Sequence, residues 1–258
     1  MDSKKAFRDF FILLKSDKWF NSISDYKPLD RINGLCNKSI SNTWEYNLVN
    51  LEFKNIDVKR HVRPLRLAKL ANDGDALATL VLNLSCNNRL NNDPSVIEDP
   101  IENLAVRFVI KLEYYDNGLD DLKLSQSSWH LDKHDAEKVV STSHPLYHYE
   151  FGGNELTKRE EFDYGDFFLV DSPRIMHPPL DIILAIDFVL KNFYAFKEHS
   201  KLTSKPLYQR HIDEARKRIW RPYIISLASH FHDFKDEYKM DKVFASNILQ
   251  CAYNPSQT

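Results

Sequence analysis

Pro178-Pro179 divides this chain into two kinds of hydrophobic pattern, and that division constrains the fold more than any other feature. Before it, from residue 44 on, apolar residues alternate with polar ones or run in short β-rich stretches, the mark of strands. After it they recur at three- and four-residue intervals, the mark of helices that bury one face. Strands followed by helices point to an α+β unit.

The strand half is clearest in residues 104–115 and 122–131, two β-rich segments joined by Asp116-Asn-Gly-Leu-Asp, whose Asn-Gly pair suits a tight hairpin turn. Residues 44–57 and 79–86 read as further strands, and 147–151 and 167–170 as two short ones with a turn at Gly152-Gly153. Residues 87–103, rich in Asn, Asp and Pro, read as an exposed mobile loop. In the helical half, the pattern predicts a largely buried helix over 180–196, with Pro tolerated at its start and Asp181 favoured there by the helix dipole. A second helix is expected over 206–231, with Tyr208, Ile212, Ala215 and Ile219 near one stripe and a kink at Pro222, and a short third over 240–252. At the other end, Ala6, Phe7, Phe10, Phe11, Leu13 and Leu14 have helical spacing up to Ser16-Asp17. The expected architecture is one α+β domain over 1–258, a mostly antiparallel sheet packed by C-terminal helices and an N-terminal helix.

Composition bounds the function. A chain of 258 residues, 43% apolar with 16 Phe and 12 Tyr, fills a large core. Its net charge of -2 excludes a binder whose whole surface is basic, so any nucleic-acid site must be local. Cys36, Cys86 and Cys251 are odd in number and far apart, which argues against a disulfide framework or a Cys-based zinc site and fits a reducing cytoplasm. The N-terminal apolar run contains charges and no small-residue cleavage site, unlike a signal peptide. Residues 182–190 are the longest apolar run, interrupted by Asp187 and far short of the ~20 residues that span a bilayer, so no membrane association is expected.

Chemistry concentrates between Trp129-His-Leu-Asp-Lys-His and Arg174-Ile-Met-His-Pro-Pro, where His130, His134, His144, His148 and His177 supply five of the ten histidines. Imidazole titrates near neutrality and binds metals when neutral. His130/His134 and His144/His148 are each four apart, an interval that brings side chains within roughly 6 Å on a helix but spreads them about 13 Å along a strand. Since a strand runs through His130, neighbours two apart are the workable pairs: His130 with Asp132, or Asp132 with His134, completed by a histidine from another segment. Zinc or manganese accepts such nitrogen and oxygen ligands. The competing readings are metal-free acid–base chemistry, in which His144 and His148 with Tyr147 face a phosphate, and a purely structural set of hydrogen-bonded histidines.

Arg174, His177, Asp181 and Asp187 form a second constellation. Asp187 lies inside an apolar run and needs a partner, for which Arg174 or a histidine is the natural choice. Two basic segments could hold a nucleic-acid backbone: Lys59, Arg60, Arg63, Arg66 and Lys69, and Arg210, Arg216, Lys217, Arg218 and Arg221 beside Trp220. Each alone also reads as a solvated helix face. Neither a phosphate loop, a dinucleotide fingerprint nor a Gly-x-Ser-x-Gly elbow is present, which sets ATPase, dinucleotide-dependent and serine-hydrolase chemistry aside.

Trp129-His-Leu-Asp-Lys-His, His144-Pro-Leu-Tyr-His-Tyr-Glu-Phe-Gly-Gly and Pro173-Arg-Ile-Met-His-Pro-Pro-Leu-Asp resemble, over residues 104–193, a prokaryotic family known only as a domain of unknown function. The resemblance implies no activity, cofactor or catalytic residue; proteins of that kind often sit near mobile-element or antiviral defence genes. The resulting expectation is a cytoplasmic antiviral-defence or toxin-type component that engages nucleic acid or a partner subunit through a His-rich cleft. As an enzyme it would be a phosphodiesterase or nuclease, with His130, Asp132, His134, His144 and His148 in the chemistry and Arg174, His177, Arg60, Arg63, Arg66, Arg216 and Arg218 on the substrate. The alternative is a non-catalytic adaptor or regulatory subunit.

Overall fold

A computed structural model describes residues 3–36, 43–57, 76–89, 99–116, 121–134, 145–152 and 175–231. Three helices come first: α1 (Ser3–Ser16), α2 (Lys18–Ile23) and α3 (Lys27–Cys36). Six strands follow: β1 (Thr43–Lys54), β2 (Ala76–Arg89), β3 (Ile101–Asp116), β4 (Asp121–Lys133), β5 (Tyr147–Phe151) and β6 (Ile175–Met176). The described part of the chain ends with α4 (Ile182–Phe193), α5 (Phe196–Thr203) and α6 (Pro206–Phe231). The strands form one sheet in the order β1-β2-β3-β4-β5-β6, every neighbouring pair antiparallel, and the molecule is an α+β fold.

Because side chains alternate across a strand, the register assigns each residue to a face. Leu80, Leu82 and Leu84 of β2, Val106 and Phe108 of β3, Leu131 of β4 and Tyr147 of β5 share one face and join the helices in a single core. Aromatic contacts fix the helices there: Phe7 of α1 meets Tyr46 of β1 at 5.3 Å between ring centres, Phe108 meets Phe188 of α4 at 5.1 Å, and Tyr147 meets Tyr223 of α6 at 6.0 Å. On β1 the pattern changes phase. Tyr46 and Leu48 are buried, then Leu51 and Phe53, because a bulge between Leu48 and Leu51 inserts an extra residue. Asn50 there has φ 56, a left-handed conformation that Asn tolerates, and its N–H donates to the Asn83 side chain at 2.8 Å. Beyond the bulge an isolated bridge pairs Ser24 with Phe53.

The hairpin expected around Asn117-Gly118 is the β3–β4 pair, which closes at Asp116 opposite Asp121. At the two ends of the loop expected over 87–103 the structure has strand instead, since β2 continues to Arg89 and β3 begins at Ile101; residues 90–98 fall outside the described ones. So do the strand expected at 167–170 and the helix at 240–252. The helix expected over 180–196 is α4, beginning at Ile182 with Asp181 as its cap: the carboxylate accepts from the Leu184 N–H at 2.9 Å. It stops at Tyr194, and α5 starts afresh with Glu198 reaching back to the Ala195 N–H at 2.9 Å. The chain over 206–231 is one helix with Pro222 inside it. Among the described residues no helix is long and apolar enough to cross a membrane.

Candidate functional site

The face of β3, β4 and β5 turned away from the core carries a polar cluster. His130 lies directly opposite Glu150 on one side and Arg107 on the other, and Asp132 lies opposite His148. Residues 130 and 132 share a face because they are two apart on β4, as do 148 and 150 on β5. The expectation that i, i+2 pairs on strands would carry the chemistry meets this geometry at His130 and Asp132.

The His130 imidazole sits between two carboxylates. Its Nε2 is 3.3 Å from Glu150 Oε2 and 3.6 Å from Asp132 Oδ2, and its ring centre is 6.1 Å from that of His148. His148 places Nδ1 3.3 Å from the Pro145 carbonyl oxygen; with the ring proton on Nδ1 this contact is a hydrogen bond and the lone pair is on Nε2. Donor atoms of His130, His148 and Glu150 lie within 4.8 Å of one another, close enough to hold one metal ion. The β5 half of the cluster is deep, with His148 3% and Glu150 6% exposed, whereas the β4 side chains of His130 and Asp132 are 16% and 31% exposed.

Burial here is not fully matched by hydrogen bonding. Among the described residues, Asp132 Oδ1, Ser128 Oγ and Gln126 Oε1 are buried without a hydrogen-bond partner, and all three belong to this face of β4. Burial raises the Asp132 pKa from its ordinary value, the neighbouring Glu150 adds to the rise, and His130 and Arg107 oppose it.

The other expected site residues are placed differently. His134 lies just past the end of β4, its N–H bonded to the Leu146 carbonyl at 2.6 Å, and it is not part of the three-residue donor set. His177 stacks against Tyr149 at 5.5 Å on the core side of the sheet, with Nδ1 2.6 Å from the Pro178 carbonyl and its pKa lowered by burial against the pull of that bond. Tyr147 faces the core as well and donates its hydroxyl to Asp99 at 2.7 Å. Arg218 is tied to the buried carboxylate of Asp181 at 2.5 Å, and Arg216 lies over the Trp220 ring at 5.1 Å and 3.9 Å from Asp187. Asp187 is held by Lys191 one helical turn on at 2.8 Å and by the Tyr208 hydroxyl of α6 at 3.0 Å, with Arg216 3.9 Å away; Arg174, the arginine expected from sequence as its partner, lies outside the described residues. His144, Arg174, Arg60, Arg63 and Arg66 lie outside the described residues.

Sequence reasoning missed Glu150 and Arg107. Glu150 was reachable by the argument applied to His130 and Asp132, since His148-Tyr149-Glu150 has the same two-residue spacing on a segment already read as a strand. Arg107 required the register of β3 against β4. No protein-family model, curated protein or solved structure matches this chain.

Proposed function

We propose that this chain is a hydrolase of phosphodiesters whose working centre is His130, Asp132, His148 and Glu150, with Arg107 beside it to receive the substrate anion. One observation carries the reading: an imidazole held 3.3 and 3.6 Å from two carboxylates, with an exposed guanidinium-bearing residue directly opposite it on the next strand. An imidazole oriented by a carboxylate transfers protons near neutral pH, and a fixed cation stabilises charge that develops on a phosphoryl oxygen. Nucleic acid is the substrate class this chemistry favours, and a place among cytoplasmic antiviral-defence or toxin-type proteins of prokaryotes rests on the family resemblance alone. Of the two α6 arginines expected on the substrate, Arg218 is paired with Asp181 and Arg216 packs against Trp220.

The test is turnover of a generic aryl phosphodiester and of labelled single- and double-stranded RNA and DNA. Loss of at least about 100-fold on His130→Ala with the fold retained supports hydrolysis, as general acid–base catalysis is worth that much. No turnover of any of these by the native protein would overturn it. The depth of His148 and Glu150 favours a second reading, an adaptor or regulatory subunit whose polar centre fixes the sheet; there, His148→Ala lowers stability and partner binding together.

A further inference from the structure

The cluster also poses a problem of charge. Glu150 and Asp132 bring two carboxylates to a largely buried face, whereas the two imidazoles carry positive charge only when protonated. An isolated buried charge is costly unless it is paired and hydrogen-bonded. Arg107 favours the charge on Asp132 from the next strand, yet the second oxygen of Asp132 remains buried without a hydrogen-bond partner among the described residues. A divalent cation among these groups would offset both carboxylates at once.

From the convergence of His130, His148 and Glu150 within 4.8 Å on one face of β4 and β5, with the unmatched Asp132 oxygen beside them, we infer a mononuclear transition-metal site. Two imidazole nitrogens and a carboxylate oxygen are its protein ligands, and Asp132 completes it as a fourth ligand or by holding a bound water. The spacing suits this. Metal–ligand bonds of about 2.1 Å at tetrahedral angles separate donors by roughly 3.4 Å, and His130 Nε2 and Glu150 Oε2 already stand 3.3 Å apart. The contact of His148 Nδ1 with the Pro145 carbonyl orients the ring as outer partners orient ligating histidines. Nitrogen donors select zinc, manganese, iron or cobalt over magnesium and calcium, which prefer all-oxygen shells.

This site does not depend on the hydrolytic reading. Untagged full-length protein, stripped with chelator and dialysed, is titrated with Co²⁺ and followed by its visible d–d absorption, with Zn²⁺ as competitor and Mg²⁺ as control. Saturation near one equivalent, displaced by Zn²⁺ and untouched by Mg²⁺, is the expected result. Glu150→Gln and His148→Ala should each weaken Co²⁺ binding by more than about tenfold, the least that loss of even an outer partner costs, while His177→Ala on the opposite face leaves it unchanged. Glu150→Gln keeps the side-chain volume, so it answers even where His148→Ala fails to fold. Absence of Co²⁺ binding by the native protein, or binding that survives Glu150→Gln, would overturn the site. Metal bound without hydrolysis removes the proposed activity and leaves the site; hydrolysis by a native protein that binds no Co²⁺ removes the site and leaves the activity.

Discussion

Two regions of this molecule bury carboxylates, and they do so differently. In the helical layer, Asp181 caps α4 and takes Arg218, while Asp187 takes Lys191 and the Tyr208 hydroxyl, so each charge meets a cation and a hydrogen-bond donor. On the outer sheet face, Asp132 and Glu150 share one imidazole, and one oxygen of Asp132 has no hydrogen-bond partner among the described residues. Burial of charge does not by itself mark a functional site, because structural pairs look equally unusual in a sequence. What separates the two regions is completeness of compensation: a finished network holds a fold together, and an unfinished one has capacity for something else.

Four substitutions test that contrast. Arg218→Ala should have the largest effect, on the order of 3–5 kcal/mol lost in urea unfolding at neutral pH, because it leaves Asp181 charged and buried. Tyr208→Phe removes one donor from Asp187 and should cost about 1–2 kcal/mol by the same measurement. Asp132→Asn should go the other way in chelator-stripped protein, raising stability or leaving it within about 0.5 kcal/mol, since it removes a charge whose cost is incompletely offset. A loss as large as that of Arg218→Ala would erase the distinction between the regions.

The smallest effect concerns a place where the helical layer resembles the sheet face. His211 is buried between α1 and α6 beside Phe10, and neither of its ring nitrogens has a hydrogen-bond partner among the described residues. Burial lowers its pKa below the ordinary 6.5, with Glu214 and Asp9 opposing the shift and Arg210 adding to it. The unfolded chain therefore takes up this proton first as pH falls, so the stability His211 allows is full above about pH 6.5 and declines below it. His211→Phe should flatten the decline in a series of unfolding curves from pH 7.5 to 5; an unchanged slope would assign the acid sensitivity to other groups. A neutral imidazole is tolerated there because its missing bonds cost far less than an unmatched charge.

How much of this was legible in the sequence follows from the range of each interaction. Local signals worked: Asn117-Gly118 marked the hairpin, and the stripe through Tyr208, Ile212, Ala215 and Ile219 marked α6. The six residues of α2 are too few to show a period, and its start is written mainly in Asp17, which caps Trp19 and Phe20. Asp17 was read as the end of α1 and not as the start of α2. The break at Tyr194 is set by distant contacts, the Tyr194 hydroxyl on the Lys54 carbonyl at 2.6 Å and the Asp57 N–H on the Phe193 carbonyl at 2.7 Å. At the candidate site, same-strand pairs were readable, while the opposition of Glu150 and Arg107 to His130 required a register that spacing does not encode.

The bulge in β1 bears on how copies of this protein meet. An edge strand offers unpaired backbone groups on which another chain can add a strand, and long regular edges are where sheets aggregate. Among the described residues β1 is an edge of the sheet, broken midway by Val49-Asn50 and engaged near its end by Ser24. Glu45, Asn47 and Lys54 are exposed along it. Restoring a straight β1 by deleting one bulge residue would bring more than a shift of register: it would lengthen the template available for sheet-to-sheet association.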